Sequence, residues 1–276
     1  MEDIVNTHFG FKNTPFLNCI PDSCLLHTNK MNIAIGTLNH IAANNQLCVL
    51  TGDVGVGKSC LLRMFVSSLD KSKYQVFYIS DSQLTPRCLY NQLLSQVGIS
   101  GKMFRGDCKR LFQTELENIS DTLKKQVVVI IDESHLIPIE SLQEIRFLLN
   151  TKMDSCSPLS IILCGQDELW PKLKREECKA IRQRVDMTVR LKPLEKSDIA
   201  AYLDAHLSYA GGSREIFNAG AVKAIAKYSS GIMRVINKIC THSLLTAVDE
   251  GLKIVTEELI EKVVNSPRNE NLMFGC

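Results

Sequence analysis

A chain of 276 residues with 45% hydrophobic and 22% charged residues has ample material for a full core, in one large domain or a domain plus a smaller one. Only 8 prolines and a net charge of +2 exclude a disordered bulk and a wholesale polyelectrolyte. No apolar run approaches the ~18–20 residues a membrane span needs, and the acidic start Met1-Glu2-Asp3 is unlike a basic signal peptide, so a cytoplasmic protein without membrane contact is expected.

In chain order, the first helical pattern is Ile35, Leu38, Ile41 and Ala42. The apolar run Leu47–Leu50 follows and leads directly into Gly52-Asp53-Val54-Gly55-Val56-Gly57-Lys58-Ser59, which fits G-x-x-x-x-G-K-[ST]. Each residue type has a physical task there. Glycines let the backbone curl until successive N–H groups point at phosphate oxygens. The helix expected after Lys58, with Leu61, Leu62, Phe65 and Leu69 at turn spacing, adds the positive end of its dipole. Lys58 is placed to reach the β- and γ-phosphates and the Ser59 hydroxyl to ligate Mg²⁺. The nucleotide-binding set is Gly52, Asp53, Val54, Gly55, Val56, Gly57, Lys58, Ser59 and Cys60.

Further strands are expected at Val76–Ile79, Val127–Ile131, Ile161–Cys164 and Met187–Leu191. They are continuous apolar runs, as in a parallel sheet covered on both faces. Helical stretches at Leu89, Leu93, Leu94 and Val97 and at Leu142, Ile145, Leu148 and Leu149 alternate with them. This is a doubly wound α/β pattern. The run Val127–Ile131 ends in Asp132-Glu133, a Walker B pattern. Asp132 suits the Mg²⁺ shell, and Glu133 suits the general base that polarises the attacking water.

From Pro171 to Lys192 eight Lys/Arg stand against three acids, and Lys102, Arg105, Lys109 and Arg110 form a smaller basic cluster with Asp107 among them. After Pro193-Leu194 the pattern turns all-helical. Ile199, Leu203, His206 and Leu207 stop at Gly211-Gly212; Val222, Ile225 and Ala226 stop at Gly231; Val235, Ile236, Ile239 and Leu245 stop at Gly251; Leu259, Ile260, Val263 and Val264 form a last helix. The expected divisions are an N-terminal linker at 1–30, a nucleotide-binding domain at 31–194, a helical lid at 195–265 and a flexible tail at 266–276. The 11 cysteines are odd in number and include no C-x-x-C pair, which favours free thiols over disulfides or structural zinc.

The phosphate loop, the Asp-Glu strand end and the helical lid together resemble an AAA+ ATPase. That resemblance implies a P-loop NTPase with an ASCE-type parallel sheet and an all-helical C-terminal lid. Ser160–Gln166 is similar to the sensor 1 strand, with Gln166 at its tip where Asn is more widespread. Ala180-Ile181-Arg182-Gln183-Arg184-Val185 resembles the segment that carries an arginine finger. Residues two apart on a helix face different ways, so one of Arg182 and Arg184 is expected to serve, Arg184 first. Gly231-Ile232-Met233-Arg234 resembles sensor 2, with Arg234 linking lid and γ-phosphate.

Within AAA+ proteins the chain looks most like the ExeA type. The resemblance is carried by Phe9-Gly10-Phe11, Asn13-Thr14-Pro15-Phe16, Leu50–Gly55, Asp132–Leu136 and Gly165–Leu169. The type includes secretion ATPases and stand-alone ATPases encoded with transposases, and the latter reading implies a regulator like TnsC, TniB and MuB. The stand-alone form implies ATP and Mg²⁺ as cofactors and a homo-oligomer, ring or filament, on duplex DNA. It also implies a transposase partner and DNA-stimulated hydrolysis to ADP and phosphate. No helix-turn-helix or zinc finger is readable, so the ATPase body would contact DNA, with Lys102, Arg105, Lys109 and Arg110 as the candidate surface.

Overall fold

A computed structural model describes residues 4–82, 84–150 and 157–266. The flexible tail expected at 266–276 lies, except for Ser266, outside the described residues. The chain divides into two compact units. One comprises Asn32–Gly52 and Leu61–Leu191; the other comprises Met1–Met31, Asp53–Cys60 and Lys192–Cys276.

The first unit is built on a five-stranded sheet of β1 (Leu47–Thr51), β2 (Tyr74–Ile79), β3 (Gln126–Ile131), β4 (Leu159–Gly165) and β5 (Val185–Arg190). The order is β2-β3-β4-β1-β5 and every pairing is parallel. β1, β3 and β4 are interior, and their side chains are almost wholly buried on both faces, which is why they read as unbroken apolar runs. The alternate residues Val49, Val129, Ile131, Ile161 and Leu163 point into one core. That core is completed by α4 (Pro86–Ser95), α5 (Arg105–Glu117), α6 (Ile139–Leu148), α7 (Leu169–Leu173) and α8 (Lys179–Arg182). Cys48, Leu50, Val128, Ile130 and Cys164, on the opposite face, are equally buried, as are Leu38 and Ile41 of α2 (Asn29–Asn44) and Leu61 and Phe65 of α3 (Lys58–Ser68).

The two outer strands correct the expectation of burial on both faces. β5 alternates half-buried and exposed residues and runs Val185–Arg190 rather than Met187–Leu191, because it has one neighbour only. β2 likewise leaves Tyr78 exposed. α5 lies outside the elements expected from the sequence, although its buried Cys108, Phe112 and Leu116 follow a four-residue spacing.

With all strands parallel, one edge of the sheet collects every carboxyl end. Thr51 pairs with Gly165 and Ile131 with Leu163, so the chain leaves β1, β3 and β4 side by side. The connection from β1 goes to β2 on one side and that from β4 goes to β5 on the other, so the crossing point lies at β1 and β4. Open α/β sheets bind ligands at such a reversal.

The second unit is helical. Its helices are α1 (Ile4–Phe9), α9 (Lys196–Ala210), α10 (Ala219–Ser229), α11 (Met233–Asp249) and α12 (Glu257–Val264). The glycine stops act as expected: α9 ends on Gly211 at φ 76°. Leu245, expected on the apolar face of α11, is partly exposed. The N-terminal residues pack on this unit. Lys12 N–H bonds to Ala210 O, Phe16 N–H to His206 Nδ1 at 3.2 Å, and the Phe16 and His206 rings stack at 5.1 Å. Burial pushes the His206 pKa down to about 4, so the ring is neutral in its stack. Among the described residues, no helix is long and apolar enough to cross a membrane.

Candidate nucleotide site

The predicted phosphate loop belongs to the helical unit from Asp53 onward. Gly55 and Gly57 have φ of 81° and 98°, the left-handed region that only glycine enters at little cost. Space imposes the same requirement. A Cβ on Gly55 would stand 2.8 Å from Arg234 Cβ, and one on Gly57 would stand 2.7 Å from Met233 Sδ. The loop is thus seated on the first turn of α11, and Arg234 N–H donates to Gly55 O at 3.1 Å. Lys58 Nζ donates to Asp53 O at 2.9 Å across the loop. Val56 is fully buried. Lys58 and Ser59 open the helix α3 (Lys58–Ser68), which places the Lys and Ser at a helix N-terminus.

The position of Arg234 depends on the preceding turn. Ser230 and Gly231 both have positive φ, at 49° and 80°. A Cβ on Gly231 would fall 2.1 Å from Leu194 O, and Leu194 N–H donates to Gly231 O. Close backbone approach therefore fixes where α11 begins, and with it Arg234 beside Gly55. The residues expected from spacing at 52–59 and at 231–234 are brought together.

The Asp132-Glu133 turn stands on the sheet edge of the other unit. Asp132 follows β3 directly and is 5% exposed. Its Oδ2 accepts from the Tyr78 hydroxyl at 2.8 Å and its Oδ1 from the Glu133 N–H at 2.9 Å. Burial, then the bond to Asp132, raises the Tyr78 pKa, so the phenol remains a donor. Asp132 lies two strand positions from Thr51, about 10 Å along the edge.

Glu133 has φ of 51°, left-handed backbone in a non-glycine residue. Strain of this kind, ~1–2 kcal/mol, persists only where neighbours hold it. Here they are identifiable. Ser134 N–H donates to Cys164 O at 2.7 Å, and the fully buried Ser134 hydroxyl donates to Ile131 O at 2.6 Å. Lys172 Nζ donates to His135 O at 2.8 Å and also to Ile137 O. Desolvation lowers the Lys172 pKa. The turn leaves the Glu133 side chain half exposed, with Oε2 3.5 Å from His135 Nδ1. Gln166, one residue beyond β4, donates its N–H to the same Nδ1 at 3.4 Å.

The two arginines separate cleanly. Arg182 Nη1 donates to Leu173 O at 3.3 Å and to Lys174 O at 2.7 Å, closing the end of α7. Arg184 is not on the same helix, since α8 ends at Arg182; it precedes β5, beside a cavity of about 690 Å³ shared with Asn45, Arg146, Gln183 and Asp186. β5 begins opposite Leu47, the first residue of β1. Arg184 is therefore at the amino edge of the sheet, roughly 15–20 Å from the carboxyl edge that carries Asp132 and Gln166.

The basic cluster is partly committed to internal partners. Glu144 on α6, 3% exposed, accepts from Tyr90 OH at 2.7 Å and lies 3.2 Å from Lys109 Nζ and 3.4 Å from Arg105 Nη1. Arg110 pairs with Asp107 at 2.5 Å. Lys102 is exposed, with its backbone N–H on Cys108 Sγ.

Tyr78 and Lys172 were not distinguishable from the sequence as site residues, and His135 was given no role there. Tyr78 sits inside an apolar run, and Lys172 lies 35 residues from the turn it braces. His135 alone carried a local signal, its position two residues after Glu133.

Residues 41–173 match the family described as AAA domain. The chain is 30% identical over 247 residues to General secretion pathway protein A of Aeromonas hydrophila; the match takes in 88% of this chain and 45% of that protein. The chain thus spans less than half the length of that relative. Among solved structures it resembles the Aeropyrum pernix ORC2 protein in its ADPNP-ADP complexes, at TM-score 0.62 and 15% identity over 92% of this chain and 70% of that one. It also resembles Drosophila ORC bound to DNA, at TM-score 0.66 and 16% identity over 95% of this chain and 65% of that one. These likenesses, with β4 inserted between β1 and β3, show an AAA+ P-loop fold, a parallel ASCE core with a helical lid, as the sequence resemblance implied.

Proposed function

We propose that the chain is a Mg²⁺-dependent ATPase that works as a homo-oligomer on duplex DNA, and that it regulates a transposase. The observation that carries the hydrolytic part is the Asp132-Glu133 turn: a buried carboxylate tied down at both oxygens, followed by an exposed one on a backbone that its neighbours hold in place. Gly52–Ser59 and Cys60 would bind the phosphates, Lys58 supplying charge and Arg234 approaching from the lid. Ser59 and Asp132 would hold Mg²⁺. One carboxylate and one hydroxyl suit that ion, which takes few protein ligands and completes its shell with water and phosphate oxygens. When bound, the metal neutralises charge developing on the phosphoryl group. Glu133 would orient and polarise water, and Gln166 would hydrogen-bond the γ-phosphate or that water.

Arg184 cannot serve the Asp132 edge of its own sheet, which lies more than a side chain's length away. Its use therefore requires a second copy, where an arginine directed at the γ-phosphate is worth about 10³–10⁵ in rate. Mixing tests this directly. Lys58→Ala and Arg184→Ala chains should each be inactive alone and regain ATPase activity when combined. No recovery in any ratio would sink the shared site.

DNA binding is supported by the resemblance to stand-alone transposon ATPases, by a likeness to a protein whose structure contains DNA, and by the exposed cations Lys102 and Arg110. Contacts would be to backbone phosphate, sequence-tolerant and steeply salt-dependent. Duplex DNA should stimulate hydrolysis and yield rings or filaments with ATP, and a purified transposase should be retained on them. A second reading, an ATPase of a secretion or envelope-assembly system, is favoured by the 30% identity to General secretion pathway protein A. Unchanged ATPase rate with DNA and no DNA-bound oligomer would select it, or a helicase-loader-like switch, over the first.

A further inference from the structure

The His135 side chain meets both Glu133 and Gln166. Its side chain is 9% exposed, and Nδ1 lies 3.5 Å from Glu133 Oε2 and 3.4 Å from the Gln166 backbone nitrogen. A neutral imidazole nitrogen either carries a proton or offers a lone pair; it does not do both. To accept from Gln166 N–H, Nδ1 must be bare, with the proton on Nε2, and Glu133 then gains nothing from the ring. To donate to Glu133, Nδ1 must carry the proton, and the Gln166 N–H must let go. Two partners therefore compete for one atom.

The ring is not free to escape this competition. Its backbone is clamped by Lys172 through the carbonyls of His135 and Ile137. It rests on the end of β4, where a Cβ on Gly165 would come within 3.1 Å of His135 N and 3.3 Å of Nδ1. Glu133 and Lys172 both meet this residue, the latter through backbone oxygen.

We propose that His135 is a positioning residue that couples Gln166 to Glu133 by exchanging the partner of its Nδ1. In the structure Gln166 N–H donates to Nδ1, which leaves no proton there for Glu133 Oε2, 3.5 Å away. When Gln166 engages the nucleotide, its N–H withdraws. Water then takes the proton from Nε2 and supplies one to Nδ1, with no change of net charge, and Nδ1–H donates to Glu133 Oε2. That bond turns Oε1 toward the water to be activated. The inference rests on the reading of Glu133 as the water-polarising carboxylate.

The tautomer is observable. Long-range ¹H–¹⁵N correlation spectra of the full chain should show His135 as the Nε2–H form without nucleotide and the Nδ1–H form with a non-hydrolysable ATP analogue. One tautomer in both states overturns the proposal. In kinetics, His135→Leu should lower kcat about 10- to 100-fold, the scale of a misplaced reacting group, with nucleotide affinity within about twofold. His135→Gln, whose amide can both accept and donate, should recover most of the loss. Unchanged kcat, an equal loss of affinity, or a Gln variant no better than Leu would each refute it. The two levels fail separately. A Glu133→Gln protein that turns over at the parent rate removes the base assignment; an inactive Glu133→Gln beside a fully active His135→Leu removes only the coupling.

Discussion

Two loops leave the same sheet edge two strand positions apart, and they are shaped by opposite means. The loop after β1, Gly52–Ser59, owes its course to backbone freedom: positive φ at Gly55 and Gly57, and no room for a side chain against Ile232, Met233 and Arg234. The turn after β3, Asp132–Ile137, contains no glycine. It bends through a strained Glu133 and is fixed by Tyr78, Ser134, the Cys164 carbonyl and Lys172. A loop made by omitting side chains tolerates no additions. A loop made by hydrogen bonds should instead lose function in increments as partners are removed.

The largest effect should come from the chemistry at the second loop. Glu133→Gln keeps size and backbone while removing the charge that polarises water, so kcat should fall about 10²–10⁴-fold with ATP affinity held within a few-fold. Single-turnover hydrolysis beside equilibrium binding separates the two quantities. At the first loop, Gly55→Ala adds one carbon that meets the Cβ of Arg234 at 2.8 Å and forces φ 81° on an L-residue. Nucleotide affinity should drop about 100-fold, equivalent to ~3 kcal/mol, with helix content unchanged by circular dichroism. Parent affinity in Gly55→Ala would show that the loop re-forms with a side chain present, and the contrast between the two loops would collapse.

That contrast also explains what could be read from the sequence. Glycines, Lys58 and Ser59 declare the first loop because its requirements are local and periodic. β1, β3 and β4 were equally plain, since burial on both faces leaves no polar interruption. The outer strands were harder to read. β5 has one neighbour and half-exposed residues, so its apolar pattern is shifted by two positions at its start. α5 buries Cys108, Phe112 and Leu116 among seven charged or amide side chains, and its surface masks its buried stripe. The braces of the second loop come from β2, β4 and α7, and no spacing rule links Tyr78 or Lys172 to Asp132. The split between Arg182, which caps α7, and Arg184, which precedes β5, likewise depended on where a four-residue helix ends.

Smaller changes test whether the second loop responds in increments. Tyr78→Phe removes one bond to the Asp132 carboxylate. A bond to a charged group is worth ~1.5–3 kcal/mol when buried, less at a residue 46% exposed. The Mg²⁺ concentration that half-saturates nucleotide binding should rise about fivefold. A lower requirement would mean that the hydroxyl competes with the metal for Oδ2 rather than aligning the carboxylate.

Ser134→Ala should be the mildest. The hydroxyl is fully buried and donates to Ile131 O, but the turn also keeps the Ser134 N–H bond to Cys164 O, and the Leu136 N–H still closes onto Glu133 O. Alanine leaves no unsatisfied donor, and Ile131 O loses only one of its possible partners. The expected cost is about 1 kcal/mol in denaturant unfolding, with kcat within about threefold. A loss of 10-fold or more in kcat at that small cost in stability would mean the Ser134 hydroxyl, rather than the backbone bonds around it, holds Glu133 in its left-handed conformation. The second loop would then depend on a single group as strictly as the first depends on Gly55.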